Sequence, residues 1–279
     1  MTKRSHSLRR KPSLTQARKR ATALALRGKY RSAADCLKHA LRLSTEVSAE
    51  KLELWNELGI LCKYAGEFAE AERCYRFALK SCLHCYQGQQ LQFFRANLYH
   101  NLGGLEHSRQ RYRVGEQYTR KALQLRCQAS GRNSLGAASD MAALAALLDG
   151  QQRFAESQAL YRKALRIYRS EYGRSHPEIA VVLNNLASVF QATGRESAAR
   201  RFFQAALAMK RKELGRSHPD VAVTLNNMAM LAKRSGNTNE ARTHLEAALT
   251  ILQRSLGNAH PHARAVRRNL EQLRSTKKE

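Results

Sequence analysis

The chain has 279 residues, 43% of them hydrophobic, which is enough apolar material to order an extended array. No run approaches eighteen apolar residues, so a membrane-crossing helix is not expected. The formal net charge of +27 calls for acidic partners or a heavily solvated exterior.

The chain opens on a basic tail, residues 1–13, and residues 1–43 hold thirteen Lys or Arg against the single acid Asp35. The best apolar stretch nearby, Ala21 to Leu26, is six residues long and closed by Arg27, so a secretory signal is not expected. The lack of acids is compatible with an organelle-targeting segment, but the first repeat starts by about Leu14 and leaves little to cleave. From there to residue 274, helix pairs are predicted at about 14–45, 51–82, 91–129, 135–171, 177–214 and 219–256. A lone capping helix at 261–274 and a tail at 275–279 follow. The turns inside the pairs are marked by Gly28-Lys-Tyr, Gly66-Glu-Phe, Gln110-Arg-Tyr, Gln152-Arg-Phe, Gly194-Arg-Glu and Gly236-Asn-Thr.

The later pairs repeat strictly. His176-Pro177, His218-Pro219 and His260-Pro261 stand 42 residues apart, and Gly173, Gly215 and Gly257 precede each by three. LNNLA (Leu183 to Ala187) returns as LNNMA (Leu225 to Ala229). A fixed period of this size means one supersecondary unit copied and stacked. Proline suits a first helical turn, where its missing N–H is no loss, so the histidines read as helix-start residues.

One small-residue place carries Ala21, Gly59, Gly103, Ala145, Ala187 and Ala229, and its neighbour carries Leu58, Leu102, Leu144, Leu186 and Met228. A second small place carries Ala40, Ala78, Ala122, Ala164, Ala206 and Ala248. Small residues let two helices approach, while Trp55, Leu58 and Tyr75 fill the space beside them. These offsets resemble the tetratricopeptide-repeat (TPR) pattern over nearly the whole chain. The long period and the LG-x-x-HP-x-x-A-x-x-LNNLA form are similar to the repeats of kinesin light chains. The resemblance implies an all-α fold, a right-handed α-α superhelical solenoid of six pairs and a cap. Arg20 in the first repeat, and Arg267 and Glu271 in the last helix, put charge at packing places, as solvent-facing caps do.

The resemblance also implies that the first helix of each pair lines a concave face. One place on it carries Lys19, Glu57, Asn101, Ala143, Asn185 and Asn227, and Asn269 continues the row. An Asn amide offers a donor and an acceptor together, matching an extended peptide backbone. It can equally bond one repeat to the next, and Asn184 and Asn226 stand one residue earlier. Lys63, His100, Lys233, Arg234 and Arg268 are expected along the same groove, with Arg18 and His107 as further members. Their charge would draw acidic peptide segments. Repeat four instead offers alanines, including Ala142, Ala143 and Ala146, as an apolar notch.

Six cysteines and the Cys82-x-x-Cys85 gap lack the second pair a zinc site needs, so no metal or cofactor is expected. Nor is there a Gly-rich phosphate loop or a nucleophile elbow, and the protein is expected not to be an enzyme. The reading is a cytoplasmic protein- or peptide-binding scaffold with acidic ligands. Nucleic-acid or anionic-surface binding through the basic N-terminus and exterior is the alternative, and self-association through the terminal repeats stays open.

Overall fold

A computed structural model describes residues 13–44, 46–258 and 260–275, so the proposed tails at 1–13 and 275–279 lie almost wholly outside the described residues. Thirteen α-helices are found among these residues, with no strand. The first unit, up to Leu91, holds α1 (Leu14–Ala25), α2 (Tyr30–Leu43), α3 (Ala49–Ala65) and α4 (Phe68–Ser81). A 3-10 turn at Cys82–His84 follows, and α5 (Gly88–Ser108) leads out of this unit.

The second unit, from Gln92, holds most of α5 and then α6 (Tyr112–Ser130), α7 (Leu135–Gly150) and α8 (Phe154–Tyr172). It continues through α9 (Pro177–Ala192), α10 (Glu196–Leu214), α11 (Pro219–Arg234), α12 (Thr238–Leu256) and α13 (Pro261–Ser275). Within this unit α7 packs with α8, α9 with α10 and α11 with α12, and α6, α8, α10 and α12 each pack on the first helix that follows. First helices also touch in succession, α7 on α9, α9 on α11 and α11 on α13. Successive second helices make no comparable backbone approach among the described residues. The first helices therefore lie on the inner side of the curve within this unit.

Local sequence sets where these helices start. Ser13, Ser48 and Ser134 accept a backbone N–H at the starts of α1, α3 and α7. His176, His218 and His260 do the same through Nδ1, accepting from the N–H of Glu178, Asp220 and His262 at 3.2 Å each. Burial pushes the imidazolium of His260 below its ordinary pKa, with His262 and Arg264 adding repulsion. That favours the neutral ring the cap requires.

The small residues sit where the helices cross. A Cβ on Gly59 would run into the Tyr75 ring, and one on Gly103 into the Thr119 hydroxyl. Leu58, Leu102, Leu144, Leu186 and Met228 are all buried, as are the six alanines of the second small place. Each such leucine contributes about 1.5–3 kcal/mol relative to exposure. In the second unit one apolar core runs unbroken from Ala137 to Leu273.

Candidate peptide-binding face

On α7, α9 and α11 most of the half-buried residues fall on a stripe at helical spacing. The stripe is Ser139, Ala142, Ala143 and Ala146 on α7, Val181, Asn185 and Ser188 on α9, and Val223, Asn227 and Met230 on α11. This inner face is small, apolar and amide-bearing at its centre. Cations stand toward its end. Lys233 and Arg234 are exposed at the C-terminus of α11, and Arg268 is exposed on α13. Arg234 is drawn aside by Glu196, 3.4 Å away.

The asparagines form a ladder. Asn227 Nδ2 donates to Asn184 Oδ1 of the preceding repeat at 3.4 Å, and Asn269 Nδ2 donates to Asn226 Oδ1 at 2.9 Å. Thus Asn227 and Asn269 donate backwards, and Asn184 and Asn226, the first of each doubled pair, accept from the repeat ahead. Asn184, only 6% exposed, passes its own N–H to Asn185 Oδ1 at 3.3 Å. Asn185 bonds in turn to the Tyr161 hydroxyl, which donates to Asp149 Oδ2 at 3.0 Å. Burial raises the Asp149 carboxyl to a pKa of about 6, although Tyr161 and Ser157 pull the other way. A continuous polar line thus runs from α11 through α9 and α8 to the end of α7. Among the described residues Asn227 Oδ1 takes no bond, and Asn101 is half-buried on α5.

His100 belongs to a second network. Its Nδ1 lies 2.7 Å from Asp140 Oδ1, and Arg126 Nε donates to Asp140 Oδ2 at 3.1 Å. Asp140 and Arg126 are both buried, and the guanidinium also lies over the Phe93 ring at 4.9 Å. The corresponding places two repeats later hold Lys210 and Thr224, joined Nζ to Oγ1 at 3.0 Å. Sequence reasoning passed over both pairs. The available signal was a cation on the second helix set fourteen residues before a polar residue on the next first helix. The intervening and following repeats hold apolar-faced pairs at the same places, Tyr168 with Val182 and Leu252 with Val266.

In the first unit Lys63 is half-buried on α3, its ammonium 4.8 Å from the Tyr64 ring centre. Burial lowers its pKa. Arg18 bridges α1 to α3 through Glu57 and Glu53. The thiols of Cys82 and Cys85 each face a backbone carbonyl, Leu79 O at 3.1 Å and Val47 O at 3.7 Å.

Comparison with family models gives a match to the tetratricopeptide repeat over residues 94–170, 143–212 and 220–279, more than half of the chain. The chain belongs to the tetratricopeptide-repeat family. Solved TPR structures resemble it in fold. BtubC (BKLC) from P. vanneervenii shares 21% identity over 89% of this chain and 94% of its own, with a TM-score of 0.58. A Podosopora anserina protein assigned as a kinesin light chain, with nearly identical TPR-like repeats, shares 18% over 73% of this chain and 96% of its own, at 0.54. A Rap protein crystallised with competence and sporulation factor shares 12% over 94% and 75%, at 0.62. Comparison with curated proteins gives no match. No helix among the described residues is long and apolar enough to cross a membrane.

Proposed function

We propose that this TPR chain is a non-catalytic, cytoplasmic scaffold that holds an extended peptide segment on the inner face of its second unit. The observation that carries the reading is the stripe itself, in which Asn185 and Asn227 stand at the centres of α9 and α11 beside the alanines of α7. A peptide main chain can pair with Asn227 Oδ1 and with the second N–H of Asn227 and Asn269. The alanines of α7 leave room for one bulky ligand side chain, and Lys233 and Arg268 favour an acidic residue at the other end. Asn185 positions the ladder from within. His100, Asn101 and Arg234 are secondary members of the proposal, since His100 and Arg234 already hold Asp140 and Glu196, and Lys63, in the first unit, is not part of this face. The Rap protein's bound factor is a precedent for an array of this fold accommodating a ligand.

A display library of random twelve-residue peptides, selected on the immobilised chain, tests the reading. Acidic peptides should be enriched, and Ala142→Arg with Met230→Arg should abolish their retention while helicity and melting stay close to wild type. Failure to enrich any peptide, or retention that the blocked face does not change, would overturn it.

A further inference from the structure

The turns that join one helix pair to the next carry a separate surface. Gly131-Arg132, Gly173-Arg174 and Gly215-Arg216 recur at the 42-residue step. Each glycine closes a second helix at positive φ, at 82°, 77° and 87°, so the chain leaves the helix and the arginine that follows stands in solvent. Arg132, Arg174 and Arg216 are exposed, and their side chains have no hydrogen bond or ion pair among the described residues. The same holds for the side chains of Arg166, Arg169 and Arg211 on the adjoining helices.

The opposite edge behaves differently. Arginines at turns inside the pairs are tied to the neighbouring repeat: Arg153 to Glu116 at 2.9 Å, and Arg195 to Gln158 at 3.1 Å. Structural duty therefore accounts for one row of arginines and leaves the other unexplained. Segments 120–132, 162–174 and 204–216 together hold thirteen Lys or Arg against the two acids Glu171 and Glu213; Arg126 and Lys210 are buried and Arg120 is held by Glu116 at 2.7 Å, which leaves ten. Glu213 is engaged by Ser175 at 2.6 Å and by Lys212 at 3.7 Å. Glu178 and Asp220 are further acids, at the starts of α9 and α11, four residues beyond Arg174 and Arg216.

We infer that this edge binds single-stranded nucleic acid. Cations repeated at the spacing of stacked helix pairs match a ligand whose charge is itself repeated, and guanidinium forks suit phosphate oxygens. An acidic protein would need an apolar anchor. The large apolar group exposed on this edge is the aromatic Tyr172, 37% exposed, stacked on His176 at 3.6 Å with 12° between the rings. Tyr172 also stacks on the buried Tyr168 at 6.0 Å, and this column, lying between Arg169 and Arg174 in sequence at Tyr172, offers a base a π-face at its exposed end beside the phosphate contacts. The surface is distinct from the inner face of the first helices, so either assignment stands or falls without the other.

Fluorescence anisotropy of a labelled twenty-nucleotide oligo-deoxythymidine, titrated with the full chain over a range of salt, tests it. The variant Arg132→Ala, Arg174→Ala, Arg216→Ala should bind at least tenfold more weakly at moderate salt. Its slope of log affinity against log salt should shrink by about 2, at about 0.7 per lost phosphate contact. Tyr172→Ala should weaken the oligonucleotide roughly tenfold and leave heparin binding unchanged. Removal of three cations elsewhere, Arg27→Ala, Lys29→Ala and Arg42→Ala, should cost far less. Equal losses from the two triple variants would overturn the inference. So would polyglutamate competing as well as the oligonucleotide at matched charge, which would reassign the edge to acidic protein.

Discussion

Asn227 reaches back 3.4 Å to Asn184 and not to Asn185, its own counterpart one repeat earlier. The same offset joins Asn269 to Asn226. This gives the doubled asparagine of the LNN motif a division of labour, with one residue an interior acceptor and the next a donor toward the preceding repeat. Because Asn184 is almost wholly buried, its loss strands two partners. Asn184→Ala should destabilise the chain by about 1–3 kcal/mol, and Asn227→Ala by about 1 kcal/mol. The double variant should cost less than the sum by about 0.5–1 kcal/mol. Denaturant melts of the four proteins measure this, and strict additivity would mean the ladder bond is not made in solution.

The fold was legible in the sequence because the small places are filled alike in all six repeats and the leucine place in the last five. The small residues and leucines that recur are the ones buried at helix crossings, and the three His-Pro steps start helices through Nδ1. The candidate face was legible only as a row of positions. A single step along a helix turns a side chain by about 100°, so whether Asn184 or Asn185 points inward depends on helix orientation that pattern alone does not fix. The partners of His100 and Arg234 were equally hidden, since Asp140 and Glu196 lie in other helices and come near only through stacking.

Two turns lack the residue their geometry favours. Gln110 and Gln152 sit at φ of 60° and 61°, where the other repeats place Gly28, Gly66, Gly194 and Gly236. A side chain in the left-handed region crowds the following carbonyl at a cost of roughly 1–2 kcal/mol, partly offset by the greater entropy glycine gives the unfolded chain. Gln152→Gly should therefore stabilise by about 0.5–1 kcal/mol, and Gln110→Gly by a similar amount. Gly194→Gln, the reverse change, should destabilise. Thermal melts that rank the three variants otherwise would show the turns relaxed in solution.

Asp149 gives a pH dependence of definite sign. Its folded carboxyl titrates at about 6 because it is largely desolvated, whereas an ordinary aspartate titrates near 3.8. The folded chain thus holds more protons than the unfolded chain between these values, and this residue makes stability rise as pH falls from about 6 toward 4. At pH 7 the charged form is a liability. Asn at this position keeps an acceptor for the Tyr161 hydroxyl without the charge. Asp149→Asn should raise stability at pH 7 by about 1 kcal/mol, after discounting for partial solvent screening, and should flatten its contribution between pH 6 and 4. Melts of both proteins across that range decide it; a gain at pH 7 that persists undiminished at pH 4 would assign the effect to packing instead.

Lys210 carries the opposite case. Its Nζ is buried and meets only the Asp220 carbonyl at 3.2 Å and the Thr224 hydroxyl at 3.0 Å, with no carboxylate in the place Asp140 fills for Arg126. Desolvation lowers its pKa. The unfolded chain then binds more protons between that lowered value and 10.5, so stability rises with pH across the window and is depressed at every pH below it. Methionine matches the length of the stem and has no charge to desolvate. The Thr224 hydroxyl still donates to the Asp220 carbonyl at 3.3 Å once Lys210 is gone, so no polar group is orphaned. Lys210→Met should therefore stabilise at pH 7 by about 1–3 kcal/mol, with the advantage shrinking as pH approaches 10.5. Thermal melts at pH 7 and pH 10 measure both quantities. A destabilised methionine variant at pH 7 would mean that the two hydrogen bonds outweigh the cost of burying the ammonium.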